Sequence, residues 1–168
     1  MIFLANRANL DRRTLFRRLH KRLQTQVDAE NAPIEQVWYE MSSGNKIGVH
    51  ATVNVSAFLD GPYPIDVAEL QVSFDFPSNR EYDYYTIQWV EAERELMVGW
   101  HQDQTHPDLG ECHFQVDYQG ETVQRDEANF LDTHPLNVFD QRTDQLVDIL
   151  DSVSWEDGTP FVPKRAVH

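Results

Sequence analysis

Apolar residues recur at spacings of three and four near the start of the chain, and this spacing predicts a helix. From Asp11 to about Val27, the apolar positions that form one stripe of an amphipathic helix are Leu15, Phe16, Leu19, Leu23 and Val27. The opposite side of this helix is almost entirely arginine. Because Pro33 disfavours helical geometry at the residue before it, we expect residues 1–35 to hold a basic helix and its linker.

From residue 36 to residue 118 the pattern changes to short alternating runs cut by Gly, Pro and Asn. In KIGVHATVNVSAFL, apolar residues alternate with polar ones from Val49 to Val55, which is typical of a half-buried strand. The same alternating pattern continues in VAELQVSFDF and in YDYYTIQWVEAERELMVGWH. The runs are separated by the turns SSGN, DGPYP and PSNRE. Such short connections predict an antiparallel meander of about five strands.

The last third of the chain is polar until a second helical pattern begins. Residues 119–153 are expected to form a loop and then a helix, with Asp140 as the N-cap and Leu146, Leu150 and Val153 on one face. Residues 154–168 are expected to form an extended tail. The sequence therefore predicts a single domain over residues 1–168, an α+β fold with an N-terminal amphipathic helix, an antiparallel sheet and a C-terminal helix.

Charge divides the chain into two unequal parts. The net charge is −14, and only three of the 14 basic residues are lysines, a composition that suggests a salt-adapted protein. Residues 1–22 hold seven basic residues against one acidic residue, a net charge of +6, whereas residues 23–168 have a net charge of −20. A basic arm of this kind can dock on its own acidic body, on a partner or on phosphates.

Three further features bear on the compartment. The single cysteine, Cys112, excludes an internal disulfide framework. No apolar run reaches the length of a membrane span, and the first residues have the reverse order of a secretory signal. We therefore expect a soluble cytoplasmic protein that makes no membrane contact.

The stretch VGWHQDQTHPDLGECHFQV, residues 98–116, holds three of the seven histidines and the only cysteine. We expect one strand to end near His101 and the next to begin with CHFQV, separated by a ten-residue loop. This arrangement places His101 and His113 on adjacent strand ends, with Asp103 and His106 on the loop. The loop also holds Asp108 and Glu111, so three imidazoles and several carboxylates are then predicted to meet at one edge of the sheet.

Two chemistries suit such a cluster, and a plain structural role remains open beside them. A pair of imidazoles can act as general base and general acid, for example in cleaving RNA through its own 2′-hydroxyl without a metal. Alternatively, His101, His106, Cys112 and His113 would bind zinc, but their spacing is not a recognised zinc pattern and adjacent strand residues point to opposite faces. We therefore expect no metal and no cofactor. The third interpretation is an ordinary polar turn at THPD, with Cys112 buried in the core.

The segment YDYYTIQWVEAERELMVGWHQDQTHPDLGECHFQV, followed downstream by DQLVDIL, resembles the small TumE-type toxins of toxin–antitoxin pairs. In that family an aromatic strand runs into an R-x-D-N-A-P-H-H-P loop, a P-H-H-K-H strand start and a final L-x-x-V-L helix. Asp103, His106 and Pro107 match the first loop, and His113 matches the second element, while Gly99 or Trp100 stands in place of the family's arginine. The resemblance covers residues 68–153. It implies a ribonuclease, related to mRNA interferases, that is paired with a DNA-binding antitoxin.

We accordingly predict a toxin component that cleaves or binds RNA. His106 and His113 would be the general acid–base pair, Asp103 would orient one of them, and His101 would complete the site. The residues predicted to contact RNA phosphates or an acidic antitoxin, such as a helix-turn-helix protein, are Arg12, Arg13, Arg17, Arg18 and Arg22. The alternative is a non-enzymatic acidic interaction protein that docks a partner through its arginine-rich helix.

Overall fold

A computed structural model of the protein describes residues 10–27, 31–76, 82 and 84–167. The main sheet consists of β1 (Ile34–Ser42), β2 (Asn45–Asn54), β3 (Val67–Asp75), β4 (Tyr84–Glu91), β5 (Leu96–Gln102), β6 (Cys112–Tyr118) and β7 (Glu121–Glu127). The remaining elements are α1 (Arg12–Gln24), α2 (Val55–Leu59), a 3-10 turn (Pro107–Leu109), α3 (Pro135–Ser152), the hairpin of β8 (Ser154–Glu156) and β9 (Thr159–Phe161), and α4 (Lys164–Val167).

Each strand of the main sheet pairs antiparallel with its neighbours in sequence, in the order β1 to β7. The predicted α+β class, with an N-terminal helix and an antiparallel sheet, is confirmed. The prediction of about five strands is wrong, because the sheet has seven.

The first helix, α1, forms where the apolar spacing predicts it and packs against the sheet. Asp11 caps its start by accepting a hydrogen bond from the Thr14 backbone N–H at 2.7 Å. Four residues of its apolar stripe are buried: Leu15, Phe16, Leu19 and Leu23. The helix ends at Gln24, so the fifth, Val27, lies beyond it and is half-buried. The helix contacts β1 and β2. The basic helix therefore belongs to the same folded body as the sheet.

The main sheet has one apolar and one polar face because side chains alternate along each strand. On the apolar face, residues such as Val49, Leu70, Ile87 and Phe114 are buried and form one core with the buried residues of α1 and α3. The opposite side is called the polar face below. The strand pairings align one row of residues across it, called the histidine row: Glu40, Gly48, Ser73, Thr86, His101, His113 and Glu127.

The seventh strand, β7, forms in a segment that the sequence pattern assigns to a polar loop. Its sequence ETVQRDE lacks apolar alternation because the side chains facing the apolar side are Gln124 and Asp126. Gln124 donates to the Val162 carbonyl at 2.8 Å and accepts from the Val162 N–H at 2.7 Å. The end of the chain therefore satisfies the polar groups at this edge of the sheet.

Two helix boundaries differ from the prediction. The alternating run of β2 ends at Asn54, whose side chain accepts a hydrogen bond from the Ala57 N–H at 3.1 Å and caps the short helix α2. Helix α3 begins at Pro135, so Asp140 is not its N-cap but lies inside the helix, where it pairs with Arg22. Proline at the first helical position starts this helix because its φ is already helical.

The tail from residue 154 is not simply extended, since it forms the β8–β9 hairpin and the short helix α4. Trp155 in this hairpin packs edge-on against Tyr118. The predicted turn at residues 77–81 lies outside the described residues. Among the helices of the described part of the chain, none is long and apolar enough to cross a membrane.

Candidate active site

The register of the β5–β6 hairpin places His101 beside His113 on the polar face. The two residues lie directly opposite each other, and their ring centroids are 5.3 Å apart. Cys112 points to the other face, where it is buried and its Sγ lies 3.2 Å from the Tyr85 hydroxyl. The structure therefore does not bring Cys112 to the imidazoles, and the zinc set that includes it is not formed.

The loop between β5 and β6 carries the other two predicted site residues back to this pair. The ring of His106 stands nearly perpendicular to that of His113, with centroids 5.0 Å apart. Asp103 is held in an Asx-type turn, because its Oδ1 accepts from the Thr105 N–H at 2.9 Å and the Thr105 hydroxyl at 2.6 Å. The structure thus gathers all four residues of a set called the histidine cluster below: His101, Asp103, His106 and His113.

The members of the histidine cluster differ in their access to solvent. His113 is 2% exposed, and its Nε2 is buried with no hydrogen-bond partner in the described part of the protein. His101 and His106 are half-buried. An unpaired buried nitrogen costs about 1–3 kcal/mol of stability, so the cluster contains an unsatisfied polar atom, Nε2 of His113.

Burial also sets the protonation of the cluster. Burial, and then the neighbouring imidazole of His113, lowers the pKa of His101 to about 4. Burial lowers the pKa of His113 as well. Burial by itself would raise the pKa of Asp103, but the hydrogen bonds from the Thr105 hydroxyl and N–H oppose this, and the pKa is lowered. At neutral pH the cluster therefore presents two uncharged imidazoles beside an ionised carboxylate.

Two residues beside His101 on the polar face, Gln88 and Gly99, were not predicted to belong to the site. The side-chain Nε2 of Gln88 lies 2.7 Å from Nε2 of His101. Gly99 precedes His101 on the same face, and a Cβ atom there would stand 2.4 Å from the Ile87 carbonyl oxygen. A glycine inside a strand is a signal of close backbone approach, but nothing in the sequence marks Gln88.

The predicted phosphate- or partner-binding arginines lie elsewhere. They belong to α1, which packs on the apolar side of the sheet against β1 and β2, away from the β5–β6 hairpin. Arg12 pairs with Asp75 at 2.9 Å and Arg22 pairs with Asp140, so part of the basic helix is used to dock on its own acidic body. The three others are exposed: Arg13, Arg17 and Arg18.

A different arginine lies close to the cluster on the polar face. Arg125 of β7 donates to the Gln115 side-chain carbonyl at 3.0 Å, and Gln115 is two residues from His113. Its positive charge contributes to lowering the pKa of both His101 and His113. Sequence reasoning missed Arg125 because it lies on the unpredicted strand β7.

A second histidine on the polar face has different partners. His50 of β2 lies between two carboxylates, with Nδ1 2.8 Å from Glu69 Oε1 and Nε2 3.3 Å from Glu40 Oε2. These contacts engage both ring nitrogens, unlike the unpaired Nε2 of His113. His50 is therefore a matched control for experiments on the histidine cluster.

A comparison with known protein families, curated proteins and solved structures finds no match for this chain. The resemblance to TumE-type toxins therefore stays a prediction.

Proposed function

We propose that this protein acts on RNA, as the toxin component of a toxin–antitoxin pair, through the histidine cluster. The observation that carries the proposal is the convergence of three imidazoles and one carboxylate at the end of the β5–β6 hairpin. The resemblance over residues 68–153 supports RNA as the substrate class. Cleavage through the 2′-hydroxyl of RNA requires groups that move protons near neutral pH, and imidazole is the side chain suited to that.

Burial divides the roles within the cluster. His106 is carried on the loop and is half-buried, so it is the imidazole placed to exchange a proton with bound RNA. His113 lies beneath it and supports its ring through an edge-on contact. We therefore assign proton transfer to His106 and a positioning role to His113, instead of treating the two as an equivalent acid–base pair.

The phosphate contact is assigned to Arg125 instead of the arginines of α1. Arg125 shares the polar face with the cluster, whereas α1 lies across the sheet. A net charge of −14 disfavours nonspecific RNA binding. A cation close to the site, such as Arg125, would therefore supply a larger share of the phosphate affinity in this chain than in a basic protein.

Expression in a host cell tests this proposal. We expect the wild-type chain to arrest growth, and the His106→Ala, His113→Ala double variant to be harmless. Co-expression of the protein encoded by the neighbouring gene, as antitoxin, should restore growth. The control is His50→Ala, which changes a histidine on the same face outside the cluster and should remain toxic. If the wild type and the double variant are equally harmless, the toxin proposal is wrong.

A second candidate function is partner binding without catalysis, and the exposed Arg13, Arg17 and Arg18 of α1 favour it. Deleting the helix is not a clean test, because α1 contributes four buried residues to the core. The sharper variant reverses the three exposed charges to glutamate. Loss of binding to the neighbouring gene product in this variant, with binding intact in His106→Ala, is expected if α1 is the docking surface. Unchanged binding of the charge-reversed protein would contradict it.

A further inference from the structure

Three side chains of the histidine cluster have the donor set and spacing of a metal site. One ligand atom each from His101, Asp103 and His113 lies within 4.8 Å of the other two. In a tetrahedral zinc site with bonds of about 2.1 Å, ligand atoms stand about 3.4 Å apart. The ligand atoms therefore stand at most about 1.4 Å farther apart than in a zinc site.

A second observation points to a ligand at the same place. His113 is 2% exposed, and its buried Nε2 has no hydrogen-bond partner among the described residues. The atom belongs to a side chain on β6, which pairs with β5 on one side and with β7 on the other. A buried nitrogen without a hydrogen-bond partner is an atom that a bound metal ion would satisfy.

We propose that His101, Asp103 and His113 bind one divalent transition-metal ion, of the class of zinc, with its open coordination position toward His106. Two imidazoles and one carboxylate suit zinc or ferrous iron, whereas magnesium and calcium prefer oxygen ligands. Three protein ligands leave room for a water molecule or a substrate oxygen, as in catalytic sites. The proposal differs from the expectation of no metal, because Asp103 takes the place that Cys112 cannot occupy.

Two of the three residues, His101 and Asp103, have outer contacts of the kind that hold metal ligands in place. Gln88 engages Nε2 of His101, which leaves Nδ1 as the nitrogen that can face an ion. Thr105 engages Oδ1 of Asp103, which leaves Oδ2. Such outer contacts fix the orientation of the ligating groups and are a regular part of metal sites.

An ion at this place would also change the local charge. Two neutral imidazoles, one carboxylate and a divalent cation sum to +1, next to Arg125 on the polar face. Because Asp117 and Glu127 also lie near the cluster, the ion would reduce the negative charge at this place and so weaken the repulsion of a phosphate. Only this consequence rests on the proposed action on RNA, since metal binding itself does not depend on it.

The test is metal titration of the full-length chain after removal of bound ions with EDTA. With Zn²⁺ in calorimetry and Co²⁺ as a spectroscopic probe, we expect one ion per chain. The variants Asp103→Asn, His101→Gln and His113→Gln should each weaken binding by about 100-fold or more, since even outer contacts contribute 10- to 100-fold. His50→Gln should bind as the wild type does. Because His113→Gln alters a buried position, its fold is checked by circular dichroism. If His113→Gln is unfolded, the test of the metal site relies on Asp103→Asn.

Two outcomes overturn the inference: no Zn²⁺ binding by the wild type, or binding that Asp103→Asn and His101→Gln leave unchanged. An RNA-cleavage assay on the same samples separates this inference from the proposed function. Specific metal binding without cleavage supports the inference and counts against the function. Cleavage by an EDTA-treated chain that binds no Zn²⁺ supports the function and removes the metal site.

Discussion

Burial of His101 beside a second imidazole makes the stability of the protein depend on pH. Its folded-state pKa of about 4 lies below the ordinary value of 6.5, so the unfolded chain binds this proton more readily. The contribution to stability is therefore fully present above about pH 6.5 and is lost as the pH falls toward about 4. The groups that act on His101 are His113, Asp103, Asp117 and Arg125.

For the metal-free protein, we accordingly expect the free energy of unfolding to fall between about pH 6.5 and pH 4. In His101→Gln this fall should be smaller, because the remaining pH dependence comes from His113. Urea denaturation at several pH values measures the slope in both proteins. Equal slopes would show that His101 does not titrate as described.

Gly99 is predicted to be intolerant of any side chain. The Cβ of an alanine there would meet two backbone atoms, the Ile87 oxygen at 2.4 Å and the Gln88 Cα at 2.9 Å, and neither can move without disturbing β4. Gly99→Ala should therefore destabilise the protein by about 3 kcal/mol. Gly61→Ala is the control, because its Cβ would meet nothing closer than 3.9 Å. Similar unfolding midpoints for the two variants would contradict the prediction.

Helix α3 is joined to the sheet by a buried arginine. Arg142 is 0% exposed, and its guanidinium donates to the Asn129 carbonyl at 2.6 Å and to the Tyr85 hydroxyl at 3.3 Å. It also lies over the Trp100 ring, 4.9 Å from the centroid. One side chain of the helix thus contacts β4, β5 and the segment before α3.

Replacing Arg142 with alanine is expected to cost about 3 kcal/mol or more, because it opens a cavity and leaves the Asn129 carbonyl without this donor. Thermal or urea denaturation measures the loss. Gln141→Ala, at the adjacent exposed position of α3, should change the stability by less than about 0.5 kcal/mol. A small effect of Arg142→Ala would mean that the apolar contacts of α3 suffice to dock it.

Local patterns predicted those elements whose apolar residues face the core. The stripe of α1 and the alternation of β2 to β6 were sufficient, because burial on one face leaves a regular period in the sequence. β7 escaped prediction because its inward residues Gln124 and Asp126 are polar. The start of α3 was also not predicted, because proline is common both in turns and at the first position of a helix, and Pro135 was assigned to a turn.

The candidate site was predictable to the extent that it depends on one hairpin. Pairing of β5 with β6 implies that His101 and His113 are neighbours, and alternation implies that Cys112 points away from them. Burial of His113 and the contact from Gln88 were not predictable, since they depend on a third strand and on how the loop folds back. The pairing register of a single hairpin can be predicted from the sequence, whereas the solvent access of its side chains cannot.

The distribution of charge over the whole molecule predicts how stability responds to salt. The ion pairs Arg12–Asp75 and Arg22–Asp140 lie at the surface, where each contributes about 1 kcal/mol or less. Repulsion among 28 acidic residues in a chain of net charge −14 acts in the opposite direction. Salt screens both the attraction and the repulsion. Because the repulsion is larger, added salt is expected to raise the stability of the protein.

We therefore expect the urea midpoint to rise between about 0.1 M and about 1 M KCl, and then to level off as the Debye length reaches about 3 Å. KCl is chosen because sulfate and phosphate strengthen burial by exclusion from the protein surface. A midpoint that falls with KCl would show that the attractive pairs dominate, and it would remove the support for a salt-adapted protein.

The meander order of the sheet has a consequence for the way the protein folds. Each pairing joins strands that follow one another in the sequence, so each hairpin closes only a short loop. The pairing that brings His101 to His113 needs only the residues from Leu96 to Tyr118, and a β-hairpin forms in about 1–10 μs. α3 contacts β4 and β5 through Arg142, and these residues are more than 40 positions apart in the sequence, so this docking closes a longer loop. We therefore expect the two imidazoles to become neighbours early on the folding pathway, before the core beneath them is complete.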